Sequence, residues 1–193
     1  MSVVLLRPSS GHRRGRKASA PTPTLSRLLH PAARPGVLRA GDRVGVAESL
    51  AADLPWDGLL GRLASAPPGR RVWERVAASQ SWEAWAIGWT VGAALEPHDH
   101  GGSSGALAIA LGDLVETTVR SGEAGEIRTT TTVLERGTSH SFGPHHIHAV
   151  ANVATSPAIS VHVYSPRLAS MTHFDVVGGR LSPQRTVRYR AHR

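Results

Sequence analysis

The histidines carry the first chemical signal. Eleven occur in 193 residues, and two of them form His98-Asp99-His100 just after a turn at Glu96-Pro97. Residues i and i+2 of a strand project from one face, so His98 and His100 can converge on a single metal ion. A third candidate, His148, opens the stretch His148-Ala149-Val150-Ala151-Asn152, with His145 and His146 just ahead of it as rivals. Cysteine is absent, so a metal can be held only by His, Asp or Glu. No acid follows the pair within Gly101-Gly102-Ser103-Ser104-Gly105. A set of three neutral imidazoles would leave the metal's dipositive charge for an exogenous anion such as a thiolate. Imidazoles suit iron, zinc, copper or nickel.

Two further groups could act on a bound molecule. In Ser160-Val161-His162-Val163-Tyr164, polar and apolar residues alternate, and a strand would line up Ser160, His162 and Tyr164 on one face. Arg71 and Arg75 lie in Arg70-Arg71-Val72-Trp73-Glu74-Arg75, ahead of the Trp82 segment. A planar guanidinium recognises a carboxylate with two parallel hydrogen bonds.

The pattern Gly92, five residues, His98, one residue, His100, with Gly112 beyond, resembles the first motif of the cupin superfamily. His148 and Asn152, three residues apart, fit its second motif. Two departures stand: the glutamate that usually follows the His-x-His is missing, and Gly143-Pro144 is shifted from the usual Pro-x-Gly. The Ser-x-His-x-Tyr strand, the Ser165-Pro166 after it and the later Met171-Thr172-His173-Phe174-Asp175 are similar to the cysteine dioxygenase family, bacterial form, over roughly residues 40–178. This resemblance implies a cupin fold, a double-stranded β-helix or jelly-roll barrel. It also implies ferrous iron, Fe(2+), held by His98, His100 and His148.

By the same resemblance, Ser160, His162 and Tyr164 form a hydrogen-bonded relay at the iron, and an arginine, best matched by Arg75, binds the substrate carboxylate. The implied reaction oxidises L-cysteine with dioxygen to cysteine sulfinate. Mercaptopropionate-specific relatives carry glutamine at the arginine position. The alternatives are another small thiol, 3-mercaptopropionate or cysteamine, or a non-catalytic metal-binding cupin. Mammalian members cross-link a cysteine to the relay tyrosine; the corresponding position here is Gly105.

The elements that must position these groups are mostly strands. Trp82–Val91, Ala106–Leu111, Leu114–Arg120, Ile127–Leu134, Ile147–Val153 and Ile159–Tyr164 read as short strands separated by Gly, Ser or Pro. Ahead of them, Leu25, Leu28 and Leu29 suggest one helix face, Ala47–Leu54 a second helix and Trp56–Leu63 a third. A few helices followed by many strands predicts a mainly β barrel with a helical cap. The expected organisation is a basic disordered tail over 1–23, one cupin domain over 24–178 and a basic tail over 179–193.

Charge agrees with that division. The net charge is +8, yet residues 1–40 hold eight Lys/Arg and 180–193 hold five more, with no acid in either. The remaining nine basic residues face all 14 acids, a net of −5 for the body. The basicity therefore belongs to the ends, and nucleic acid is not expected as a partner. No apolar run is long enough to span a membrane, and the opening Val3-Val4-Leu5-Leu6 is too short for a secretory signal. A cytoplasmic monomer acting on a small thiol and dioxygen is the expectation.

Overall fold

The computed structural model describes residues 36–122 and 126–189. The expected tail over 1–23 and the helix face of Leu25, Leu28 and Leu29 lie outside the described residues. Helix α1 spans Ala40–Asp53 and α2 spans Asp57–Ser65. Eleven strands follow: β1 Arg71–Ala78, β2 Glu83–Trp89, β3 Ala94–His98, β4 Ser104–Leu111, β5 Leu114–Ser121, β6 Ile127–Leu134, β7 Ser139–Phe142, β8 Ile147–Ala151, β9 Ala158–Ser165, β10 Ser170–Val177 and β11 Arg180–Arg188. They form two antiparallel sheets, ordered β1-β2-β9-β4-β7 and β11-β10-β3-β8-β5-β6. The architecture is the mainly β cupin fold that the motifs predict.

The first sheet is covered on both faces. On one side, Val46, Ala47 and Leu50 of α1 pack on Ala84, Ala106, Ala108, Val161 and Val163. The small alanines let the helix approach closely. Helix α2 adds Leu59 and Leu63 against Ala86 and Ile159. A Cβ on Gly88 would stand 2.7 Å from Leu63 Cδ1, so the glycine sets how near α2 can lie. On the other side, Trp89, Leu107 and Ile109 meet Leu95, Leu114 and Val150 of the second sheet. All eight residues of β9 are consequently buried, polar ones included.

Two local outcomes differ from the sequence expectations. Helix α1 begins at Ala40, earlier than Ala47, because Arg43 is buried as a brace: its guanidinium donates to the carbonyls of Gly105 and Leu38. The basic stretch 179–193 is not wholly a tail either. Arg180–Arg188 forms β11, paired along the length of β10. It reads as a tail because it is an edge strand, where charges and a proline are tolerated. Pro183 sits at the register shift opposite His173 and Phe174. Among the described residues, no helix is long and apolar enough to cross a membrane.

Asn152 acts here as a clamp between strands. Its amide nitrogen donates to the carbonyls of Trp89 at 3.1 Å and Ser156 at 2.9 Å, and its oxygen accepts from the Ala154 N–H. Asn152→Ala removes all three bonds and leaves the buried Trp89 carbonyl without its donor, a loss of roughly 1–3 kcal/mol. Urea unfolding should register that loss, and a change under about 1 kcal/mol would refute the clamp.

Candidate metal centre

Three adjacent strands of the second sheet bring the imidazoles together. His98 on β3 is the cross-strand partner of His148 on β8 and of His173 on β10. His100 follows two residues after the end of β3, held in a turn by Asp99. The Asp99 carboxylate accepts from the N–H groups of Gly101 and Thr172, and the Asp99 N–H donates to the Thr172 carbonyl. Gly101 has φ +56, a left-handed conformation that favours glycine, and a side chain there would run into Ser170. The outcome is that one nitrogen each of His98, His100 and His148 lies within 4.8 Å of the others, all three rings buried.

The bonds on the outer nitrogens decide which nitrogens face inward. His98 donates its Nδ1–H to the Glu96 carbonyl at 2.9 Å, leaving Nε2 free. His148 donates its Nδ1–H to Glu116 Oε1 at 2.5 Å, again leaving Nε2 free. A carboxylate behind a ligating histidine fixes its tautomer and raises its basicity. Neither ring nitrogen of His100 has a hydrogen-bond partner among the described residues. A buried imidazole without partners is costly in a dry site, and coordination of a cation relieves that cost. Burial, then the neighbouring His148, pushes His100 down to about 2. His98 is likewise held well below its ordinary value, by burial and then by His148 and His100. Three neutral, unprotonated donors are what a divalent transition ion requires, so the residues present fit a metal.

Glu116 gathers more than His148. His140 Nε2 stands 3.2 Å from Oε2 and His146 Nε2 stands 3.4 Å from Oε1. Burial alone would raise this carboxyl, but the hydrogen bonds from His140, His146 and His148 outweigh it and hold it well below the usual carboxylate range. His146 is thereby turned to Glu116 and His145 is exposed, so neither joins the triad.

The Ser160, His162 and Tyr164 side chains are buried in a row. Trp89 Nε1–H donates to Ser160 Oγ at 2.9 Å, Ser160 Oγ lies 2.9 Å from His162 Nε2, and His162 Nδ1 lies 3.5 Å from the Tyr164 hydroxyl. Burial, then His148, pushes His162 down to about 3. Burial also pushes the Tyr164 phenol up, so it keeps its proton. A cavity of about 240 Å³ opens onto His98, His148, His162 and Tyr164, with Trp73, Trp85 and Trp89 among its walls. Arg71 lines it and stacks over Trp89, 5.5 Å from the ring centre, with no ion-pair partner among the described residues. Arg75 does not line it. Its guanidinium stands 4.0 Å from Glu83, which also faces Arg167 and accepts from the Leu168 N–H.

The family profile described as cysteine dioxygenase type I matches residues 57–177, well over half the chain. The chain belongs to this family. Its members are thiol dioxygenases of cupin fold with a three-histidine metal site, formed here by His98, His100 and His148. Among solved structures, an oxalate oxidase bound to glycolate matches with TM-score 0.46 and 15% identity, covering 53% of this chain and 54% of that one. The chain thus spans about half the length of that protein. A protein from Thermus thermophilus matches with TM-score 0.43 and 28% identity, covering 56% and 94%. A cupin superfamily protein from Desulfitobacterium hafniense matches with TM-score 0.43 and 15% identity, covering 52% and 81%. No curated protein sequence matches the chain significantly.

Gly105 is the strand partner of Tyr164, and the Phe142 ring fills the space a side chain there would need. Sequence reasoning missed Glu116, Phe142 and Trp89. The available signal for Glu116 was one acid inside the β-branched run Val115-Glu116-Thr117-Thr118-Val119, on the inward face of its strand.

This geometry can be tested at the metal and at the row. His98→Ala, His100→Ala and His148→Ala should each abolish bound metal while His145→Ala retains it, and Glu116→Gln should weaken metal affinity about 10–100-fold in chelator competition. Unchanged affinity in Glu116→Gln would remove the carboxylate from the centre. A second expectation concerns acid stability of the metal-free protein. Unfolded His162 takes its proton near 6.5 and folded His162 only near about 3. Stability is therefore whole above the unfolded value and falls as pH drops through that window, because the unfolded chain binds the extra proton. His162→Gln should lower the slope of unfolding free energy between about pH 4 and pH 6 by about 1.4 kcal/mol per pH unit.

Proposed function

We propose that this protein oxidises L-cysteine with dioxygen to cysteine sulfinate, using ferrous iron held by His98, His100 and His148. The observation that carries the proposal is one cavity shared by two of the triad histidines, the Tyr164 end of the Ser160–His162 row and an unpaired arginine. The reaction balances without another reductant: both oxygen atoms end on sulfur, which loses the four electrons that dioxygen gains. When bound, ferrous iron supplies a site where thiolate and dioxygen can meet.

The chain's own residues supply position and protons. Indole can only donate, so the Ser160 oxygen accepts from Trp89. Among the described residues, the acceptor beside the Ser160 hydroxyl is His162 Nε2. That bond leaves the proton of neutral His162 on Nδ1, directed at the Tyr164 oxygen. The phenol then accepts from behind and its own proton points into the cavity, toward oxygen or substrate. A donor fixed in this way before reaction costs no reorganisation when charge develops.

Arg71, rather than Arg75, is our choice for the carboxylate anchor, because it lines the cavity and has no acid of its own. Its bidentate fork would orient the substrate, and the tryptophan walls exclude water around the reacting atoms. The arginine favours carboxylate-bearing thiols, L-cysteine or 3-mercaptopropionate, over cysteamine. A metal-binding cupin without catalysis has no use for a buried proton row, which costs folding free energy to desolvate.

Iron-loaded protein should take up oxygen when L-cysteine is added, and more slowly with cysteamine. Tyr164→Phe should retain iron while turnover falls about a hundredfold or more. Turnover within about twofold of wild type, well under 1 kcal/mol, would take the row out of the chemistry. Arg71→Ala should act mainly on KM, and Arg75→Ala should not.

A further inference from the structure

The family match ends at residue 177, yet the chain continues into β11 and Tyr189. This added segment is tied to the centre at several points. Arg185 pairs with Glu96 at 2.5 Å, and the carbonyl of that same Glu96 holds His98. His173 stands 3.2 Å from the same Glu96 oxygen. The Tyr189 N–H donates to the Ala169 carbonyl at 2.9 Å, and its hydroxyl reaches Met171 Sδ at 3.8 Å. Arg185, Tyr189 and Met171 all line the cavity that contains Arg71. Tyr189 is 42% exposed, so it lines the cavity at its boundary with solvent.

We infer that Tyr189 is a specificity-determining residue: its ring forms the outer wall of the cavity beside Arg71 and limits how far a substrate can extend beyond its carboxylate. This rests on the thiol dioxygenase reading of the site and adds to it a size limit for the substrate. Burial pushes the Tyr189 phenol up while the Arg71 guanidinium pulls the other way, which agrees with the two lining one cavity. Arg185 is occupied by Glu96 and serves to seat the strand, so Arg71 remains the cation open to a ligand. Met171, in contact with the Tyr189 hydroxyl, lines the cavity together with Trp73 and Leu168, so the Tyr189 side of the cavity has an apolar wall beside the paired Arg185. The substrate class is therefore a short thiol carboxylate, ending where Arg71 binds it. A dipeptide such as L-cysteinylglycine places its carboxylate one residue further out and meets the ring.

The test compares wild type, Tyr189→Ala and Tyr189→Phe as full-length, iron-loaded proteins. Binding of L-cysteine and L-cysteinylglycine is measured by anaerobic calorimetry, and turnover of both by oxygen uptake. The wild type should prefer cysteine. In Tyr189→Ala the ratio of the two Kd values should narrow at least about tenfold, the scale of a lost steric contact in a pocket, with the turnover change falling mainly on KM. Tyr189→Phe keeps the ring and should keep the preference. A Kd ratio in Tyr189→Ala within twofold of wild type overturns the inference. So does an equal loss in Tyr189→Phe, or a wild type that binds neither thiol. Tyr189→Leu replaces the alanine variant if that one fails to fold. If binding shifts as expected but wild type consumes no oxygen with either thiol, the wall stands and the dioxygenase reading falls.

Discussion

Imidazole packed against imidazole, out of water, is the constraint on which this structure turns. His98, His100 and His148 have ring centres 4.6–5.0 Å apart, and protonating any one would place a cation in a buried space beside two neighbours. The cluster is tolerable only if every ring stays neutral and turns its lone pair inward. The Glu96 carbonyl and the Glu116 carboxylate fix that direction for two rings from outside. The third is fixed by wedging, since His100 lies against Phe142, ring centres 4.6 Å apart. Glu116 also places a negative charge one bond behind the metal position. The centre is thus three imidazoles within a charge pattern closer to that of a carboxylate site.

The same constraint explains why β9 must be buried on both faces. Its inward residues form the hydrogen-bonded row, and its outward Val161 and Val163 are covered by α1. A strand with Ser, His and Tyr on a wet face would need no helix, and its histidine would titrate near the ordinary value. The row itself is kept dry from the other face, where Trp89 bonds Ser160 and the second sheet packs across. Dryness keeps His162 neutral, and its bond with Ser160 decides which nitrogen carries the proton.

Much of this was legible in the sequence because strand period and motif spacing are local properties. His98, His100, His148 and the Ser160–His162–Tyr164 alternation can be read without knowing the partners of any strand. Glu116 could not be, because its role exists only once β5 pairs with β8 and sets Thr118 beside His148. The choice between Arg71 and Arg75 was open for the same reason. Both lie on β1, and the shift in its pairing with β2 falls just after Arg75, where Glu83 waits. β11 was hidden by its composition: arginines and a proline describe a solvated tail as well as an edge strand, and only its pairing with β10 separates the two.

The turn that carries His100 is fastened by residues far downstream. Asp99 is bonded to Thr172, and His98 pairs across to His173, although the third ligand is already complete at His148. On a ribosome the first two ligands would emerge long before the strand that holds them in place. The turn that carries His100 can therefore be fastened only when nearly the whole chain is out, long after the first two histidines have left the exit tunnel.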